Sequence, residues 1–100
     1  MITRIWQGEV RSERADEYIR LMREVALPDY RSTPGNRGAY ALRHDAGDRA
    51  TVVMLTFWES RAAIAAFAGD DIDRAKYYDF DPDFLVEMSP TVTHYDTFDG

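Results

Sequence analysis

His94 stands in a β-branched run, residues 91–98, with Val92 and Asp96 on its own side of a strand and Thr93 and Tyr95 on the other. Histidine titrates near neutrality without assistance, so a pocket-facing His94 could take the proton of a phenol or enol. The plainer reading is a sheet histidine hydrogen-bonded across strands. Tyr40 could orient a substrate oxygen through its hydroxyl, although the chain holds six tyrosines. Trp6 and Trp58 share strand parity with apolar or large neighbours. Either ring can stack on a flat aromatic ligand while its N–H finds an acceptor, or pack in a core or interface. His44 lies beside a hairpin turn and is the weaker of the two histidines as a functional group.

Several chemistries are excluded by what is missing. Two histidines without closely spaced carboxylates are a poor basis for a metal site. Asp70, Asp71 and Asp73 lack the alternating spacing and central glycine of a calcium loop, and fit the cap of a short helix better. There is no cysteine, hence no thiol nucleophile, disulfide or thiolate ligand. The glycines of PGNRG, residues 34–38, make a turn, with neither nucleotide-loop spacing. The net charge is −6, from 12 basic and 18 acidic residues, and the basic ones are scattered, which argues against nucleic acid. No 18-residue apolar run or signal-like leader is present, so the expected setting is cytoplasmic, away from membranes.

The elements that must position these groups follow from hydrophobic spacing. One hundred residues make a single domain, residues 1–100. Residues 2–10 read as a strand. Ser12 can cap a helix whose stripe is Ala15, Ile19, Met22 and Ala26, widened by Tyr18, Leu21 and Val25. Pro28 is expected to stop or kink it. Strands at 39–45 and 51–59 flank an Ala46-Gly47-Asp48 turn. Ser60 caps a second helix that buries Ala63, Ile64 and Phe67 and ends near Gly69. Residues 70–78 are expected to form another short helix, residues 79–88 to pack through Phe80, Phe84, Leu85 and Met88, and a last strand to follow Pro90. The order β-α-β-β-α-β is the ferredoxin-like split βαβ pattern, an α+β fold with an antiparallel sheet.

The strand at 51–59 is apolar on both faces. Val52, Met54 and Trp58 point one way, Val53, Leu55 and Phe57 the other. Two helices cover one face of such a sheet and leave the other bare, and soluble proteins rarely tolerate a large bare apolar face. A second copy packed sheet to sheet covers it. Residues 79–89 folding over that face are the alternative.

ITRIWQG at residues 2–8, LPDYRSTPGN at 27–36, LTFWES at 55–60 followed by AIAAF at 63–67, and THY at 93–95 resemble the antibiotic biosynthesis monooxygenase-like family. The resemblance spans nearly the whole chain and implies a homodimer forming a dimeric α/β barrel. The family includes cofactor-free quinone-forming oxygenases and haem-degrading enzymes. The haem-ligating histidine of the latter would fall on Tyr77, their asparagine on Gln7 and their tryptophan on Phe67, so haem chemistry does not carry over. In the quinone-forming branch Phe67 and Tyr77 stand where a pocket wall would be. The expected protein binds no cofactor and no metal. Two readings follow: a cofactor-independent monooxygenase acting on a small aromatic or phenolic substrate, with His94 as base, Tyr40 as hydrogen-bond donor and Trp6, Trp58, Phe67 and Tyr77 as walls, or a non-catalytic dimeric ligand-binding or stress-related protein.

Overall fold

The first strand alternates strictly enough to fix its faces. In β1 (Ile2–Arg11), Ile2, Arg4, Trp6, Gly8 and Val10 are buried on one side, while Gln7 and Glu9 are exposed on the other. The computed structural model describes residues 1–88 and 91–100. β1 pairs antiparallel along its whole length with β3 (Arg49–Trp58), from Ile2 opposite Trp58 to Arg11 opposite Arg49. β3 pairs in turn with β2 (Asn36–Ala46) through a turn at Gly47-Asp48. The far edge of β1 is shared by β4 (Leu85–Glu87), opposite Glu9 and Val10, and β5 (Thr93–Asp96), opposite residues 2–5. The sheet order is thus β2-β3-β1 with β4 and β5 side by side, all antiparallel, as the ferredoxin-like pattern requires.

All the helical material lies over the face that carries Trp6, Val52, Met54 and Trp58. One run from residue 12 to 32 comprises a 3-10 turn (Ser12–Arg14), α1 (Ala15–Leu21), a π-helical turn (Met22–Ala26) and α2 (Leu27–Ser32). Its buried positions are Ala15, Tyr18, Met22, Ala26, Leu27 and Tyr30. Pro28 does not end this run, which continues through it as α2. It sits in the first turn of α2, just after the π turn, where the wider ring relieves the demand for a proline N–H. The extra residue also turns Ala26 and Leu27 inward together and leaves Val25 exposed. Ser12 does not cap the run either: its hydroxyl donates to the Gly47 carbonyl across the β2–β3 turn.

Ser60 accepts the Ala63 amide and opens α3 (Arg61–Ala68), which buries Ile64 and Phe67 and stops at Gly69, φ +92°. The expected helix over residues 70–78 is absent. Asp71 turns its carboxylate onto the Asp73 amide, Arg4 takes the carbonyls of Ile72 and Arg74, and Arg74 bridges Thr91. Local side-chain bonds and a buried arginine outcompete a short helical ladder there. α4 (Asp81–Phe84) follows. Phe80 and Phe84 pack on Tyr18, on the helical side, so residues 79–88 do not cover the bare face, and Met88 stays exposed. Residue 89 and Pro90 lie outside the described residues.

Two glycines are required by contact. A Cβ on Gly8 would stand 2.6 Å from the Trp6 ring and 2.8 Å from Leu85. Gly35, φ +91°, would press one to 2.4 Å of the Ala63 Cβ. Among the described residues no helix is long and apolar enough to cross a membrane.

Candidate functional site

Between sheet and helices lies a small, partly open pocket of about 10 Å³, room for about one water. Trp6 and Met54 come from the sheet, Tyr18, Met22, Ala26 and Tyr30 from the helical run, and Lys76, Tyr78 and Asp81 from the segment after α3. A larger open hollow of about 380 Å³ sits at the sheet edge between β4 and β5. Its walls include Gln7, Glu9, Glu87 and two threonines but no aromatic ring, and it contains none of the expected site residues. The small interior space has the chemistry.

Asp81 is 2% exposed. Its Oδ1 accepts the Tyr18 hydroxyl at 2.7 Å and its Oδ2 the Tyr78 amide at 2.7 Å. Burial pushes its pKa above the usual carboxylate value, against those two hydrogen bonds. Burial raises the Tyr18 and Tyr78 hydroxyls too, helped by their carboxylate neighbours, and pushes Tyr30 up to about 12. Asp29 Oδ2 accepts from Lys76 Nζ at 2.8 Å and the Tyr78 hydroxyl at 2.7 Å. Burial opposes ionisation of Asp29, but these donors hold its pKa below the ordinary value. Lys76 also lies 4.3 Å above the Phe67 ring, which stacks on Tyr30 with centroids 4.3 Å apart. Among the described residues, two buried side-chain polar atoms have no partner: Trp6 Nε1 and Arg4 Nε.

Arg4 shares the helix-side face of β1 with Trp6. It is 2% exposed, and burial lowers its pKa. Nη1 lies 2.9 Å from His94 Nε2 and Nη2 donates to the Arg74 carbonyl at 3.1 Å. A guanidinium can only donate, so His94 Nε2 accepts and its Nδ1–H points to Asp73, 3.3 Å away. His94 is therefore neutral, with both ring nitrogens engaged. Burial first, and Arg4 second, lower its pKa.

The sign of its linkage follows. As pH falls below the ordinary histidine value near 6.5, the unfolded chain takes up a proton before the folded one, so stability declines. His94→Gln keeps an acceptor oxygen for Arg4 and removes the titration. Urea midpoints of wild type should fall between pH of about 7 and 5, with a slope bounded by about 1.4 kcal/mol per pH unit for one proton. The variant should lose less over the same interval. Equal losses in both proteins would contradict a neutral, buried His94.

The structure brings some expected site residues together and separates others. Trp6 lines the cavity. Phe67 stands one layer behind it on Tyr30, and Trp58 is fully buried beside Phe67, with Nε1 donating to Thr56 at 2.9 Å. Tyr77 is half-buried and is not among the cavity walls. Tyr40 is 54% exposed on the opposite face of the sheet, edge-on to Phe57. His94 faces the helical side but is held by Arg4 and Asp73 outside the cavity. Sequence reading missed Arg4, Tyr30, Lys76, Tyr78 and Asp81. Arg4 had a signal, a charge in phase with Ile2, Trp6 and Val10. Asp81 had none.

The family model for antibiotic biosynthesis monooxygenase matches residues 1–72. The chain belongs to that family. A crystal structure of an antibiotic biosynthesis monooxygenase superposes with a TM-score of 0.70 at 20% identity, covering 99% of this chain and all of that one. A Nitrosomonas europaea protein carrying the same family description gives a TM-score of 0.71, also at 20% identity, covering 97% and 98%. At that identity the likeness shows the fold alone. No curated protein matches. The part matched to the antibiotic biosynthesis monooxygenase model carries Arg4, Trp6, Tyr18 and Tyr30. Lys76, Tyr78, Asp81 and His94 lie beyond the matched residues.

Proposed function

We propose that the chain is a cofactor-independent oxygenase of small flat phenols or enols, working as a two-fold dimer. The observation that carries this reading is a buried indole N–H without a partner, on Trp6, in an aromatic-walled interior that also holds a buried carboxylate. Once deprotonated, an electron-rich phenol or enol can pass an electron to oxygen, so the protein need only bind it, accept its proton and exclude water. Trp6 donates to the substrate oxygen. Tyr30, stacked on Phe67, supplies a flat wall. The space as it stands fits about one water, so admission requires the Lys76–Tyr78 stretch to lift from Asp29. The sheet's bare face, with Ile5, Leu42, Val53, Leu55 and Phe57, packs against the same face of a second copy.

The test uses 1,8-dihydroxyanthrone in aerated buffer, following oxygen uptake, the quinone product and quenching of tryptophan fluorescence. Wild type should bind it and raise the oxidation rate above buffer. Trp6→Phe should weaken binding about fivefold, the value of one hydrogen bond of roughly 1 kcal/mol. Protein that quenches without accelerating oxidation would instead support the second reading, a dimeric ligand-binding protein. The engagement of both His94 nitrogens favours that reading. Neither binding nor turnover would reject both.

A further inference from the structure

The residues that line the cavity include one buried donor without a partner, the Trp6 indole N–H, and one buried carboxylate, Asp81. Trp6 is 6% exposed and its Nε1–H is unpaired, while Asp81, 2% exposed, lines the same space. A carboxylate has about four acceptor positions, and Tyr18 and Tyr78 fill two of those on Asp81. Both of those donors are neutral. Lys76 also lines the cavity, but its ammonium pairs with Asp29 rather than with Asp81. A buried carboxylate without a cation is an unfavourable ornament for mere packing, since an amide could tie the same elements together.

We propose that Asp81 is the proton acceptor of this site, with Trp6 holding the same ligand oxygen from the other side. The inference rests on reading the interior as the ligand site, and it names the group recognised: a hydroxyl that can both donate and accept. The ligand's O–H donates to a free lone pair of Asp81 while its oxygen accepts from Trp6. In the transfer, the O–H bond breaks and the proton bonds to an Asp81 oxygen. The electron pair stays on the ligand oxygen, where the Trp6 N–H stabilises it. Burial raises the carboxyl's pKa, which strengthens it as a base. The groups that face it are Tyr18 and Tyr30 from the helical run and Tyr78, Tyr77 and Lys76 from its own segment, with Asp29 beyond Lys76. A single trapped water bridging Trp6 and Asp81 is the competing occupant.

Asp81→Asn keeps both structural bonds. Its oxygen accepts the Tyr78 amide, its NH₂ donates to Tyr18, and the tyrosine hydroxyl turns around. The variant therefore tests basicity rather than folding, which circular dichroism verifies. The first probe is 4-nitrophenol, at a pH where the free phenol is neutral. Bound to wild type, its absorption should shift to longer wavelength, as a phenol donating to a carboxylate does. In Asp81→Asn the probe should still quench tryptophan fluorescence, but without the shift. With 1,8-dihydroxyanthrone, turnover should fall about 100-fold while binding changes far less. Tyr18→Phe removes one donor from Asp81 and should enlarge the shift, which decides the matter if Asp81→Asn does not fold. Identical spectra in wild type and both variants, or unchanged turnover in Asp81→Asn, would overturn Asp81 as acceptor and leave the water. Failure of wild type to bind either probe would overturn the site itself.

Discussion

Trp58→Ala is expected to lower the free energy of unfolding by about 3–5 kcal/mol, read as a fall in the urea midpoint at unchanged slope. The ring is fully buried where β3 hands over to α3, against the stacked pair of Phe67 and Tyr30 at centroid distances of 5.6 and 6.4 Å. Its N–H bonds Thr56, which itself donates to the Arg4 carbonyl across β1 and β3. Truncation leaves a cavity and strips a donor from Thr56 in one step. A domain of this size has about 5–15 kcal/mol in all, so the variant should sit near the threshold of folding. The other tryptophan should behave in the opposite way. Trp6→Phe removes a buried donor that has no partner, so it should be neutral or slightly stabilising in the absence of ligand. Two tryptophans on one sheet face would then separate a packing role from a binding role. An unchanged midpoint for Trp58→Ala would contradict its place in the core.

The fold was legible because its signals are local and repeated. Alternation in β1, the two apolar faces of β3, the Ser60 cap and the Gly69 stop each point to one element, and the order of elements selects the topology. What escaped depends on contacts between distant residues. The stretch 70–78 has helix-compatible spacing at Ile72 and Ala75, but Arg4, some seventy positions away, takes the carbonyls that a helix would use. The π turn before Pro28 is a compromise between one proline and the burial of Ala26, Leu27 and Tyr30, visible only once the sheet is in place.

The site was less legible for the same reason. Strand parity placed His94, Trp6 and Trp58 on their faces correctly, yet parity says nothing about which ring nitrogen is free. His94 is occupied by a residue at the other end of the chain. Tyr40 could be put on a face but not assigned to the covered or the bare one, because that depends on the pairing of Tyr40 with Leu55. Asp81 lies in an acidic aromatic segment whose charges all look solvated until Tyr18 closes over one of them.

Leu55→Asp should convert a dimer into a folded monomer. Leu55 is flanked by Ile5 of β1 and Tyr40 of β2 on the face that carries no helix, and Leu42 and Tyr40 remain 44% and 54% exposed there. In an isolated subunit the new carboxylate reaches water, so folding should survive. Between two sheets it would be buried without a partner, at a cost of about 3 kcal/mol or more, which weakens association a hundredfold or more. Met54→Asp makes the contrast. Met54 is 2% exposed beneath the helices, so the same charge there should unfold the subunit rather than release it. Light scattering at micromolar concentration, with circular dichroism on the same samples, reads both outcomes. A wild type that scatters as a monomer would end the dimer proposal. A Leu55→Asp protein that stays dimeric would move the interface to another surface and leave the bare face unexplained by a second copy.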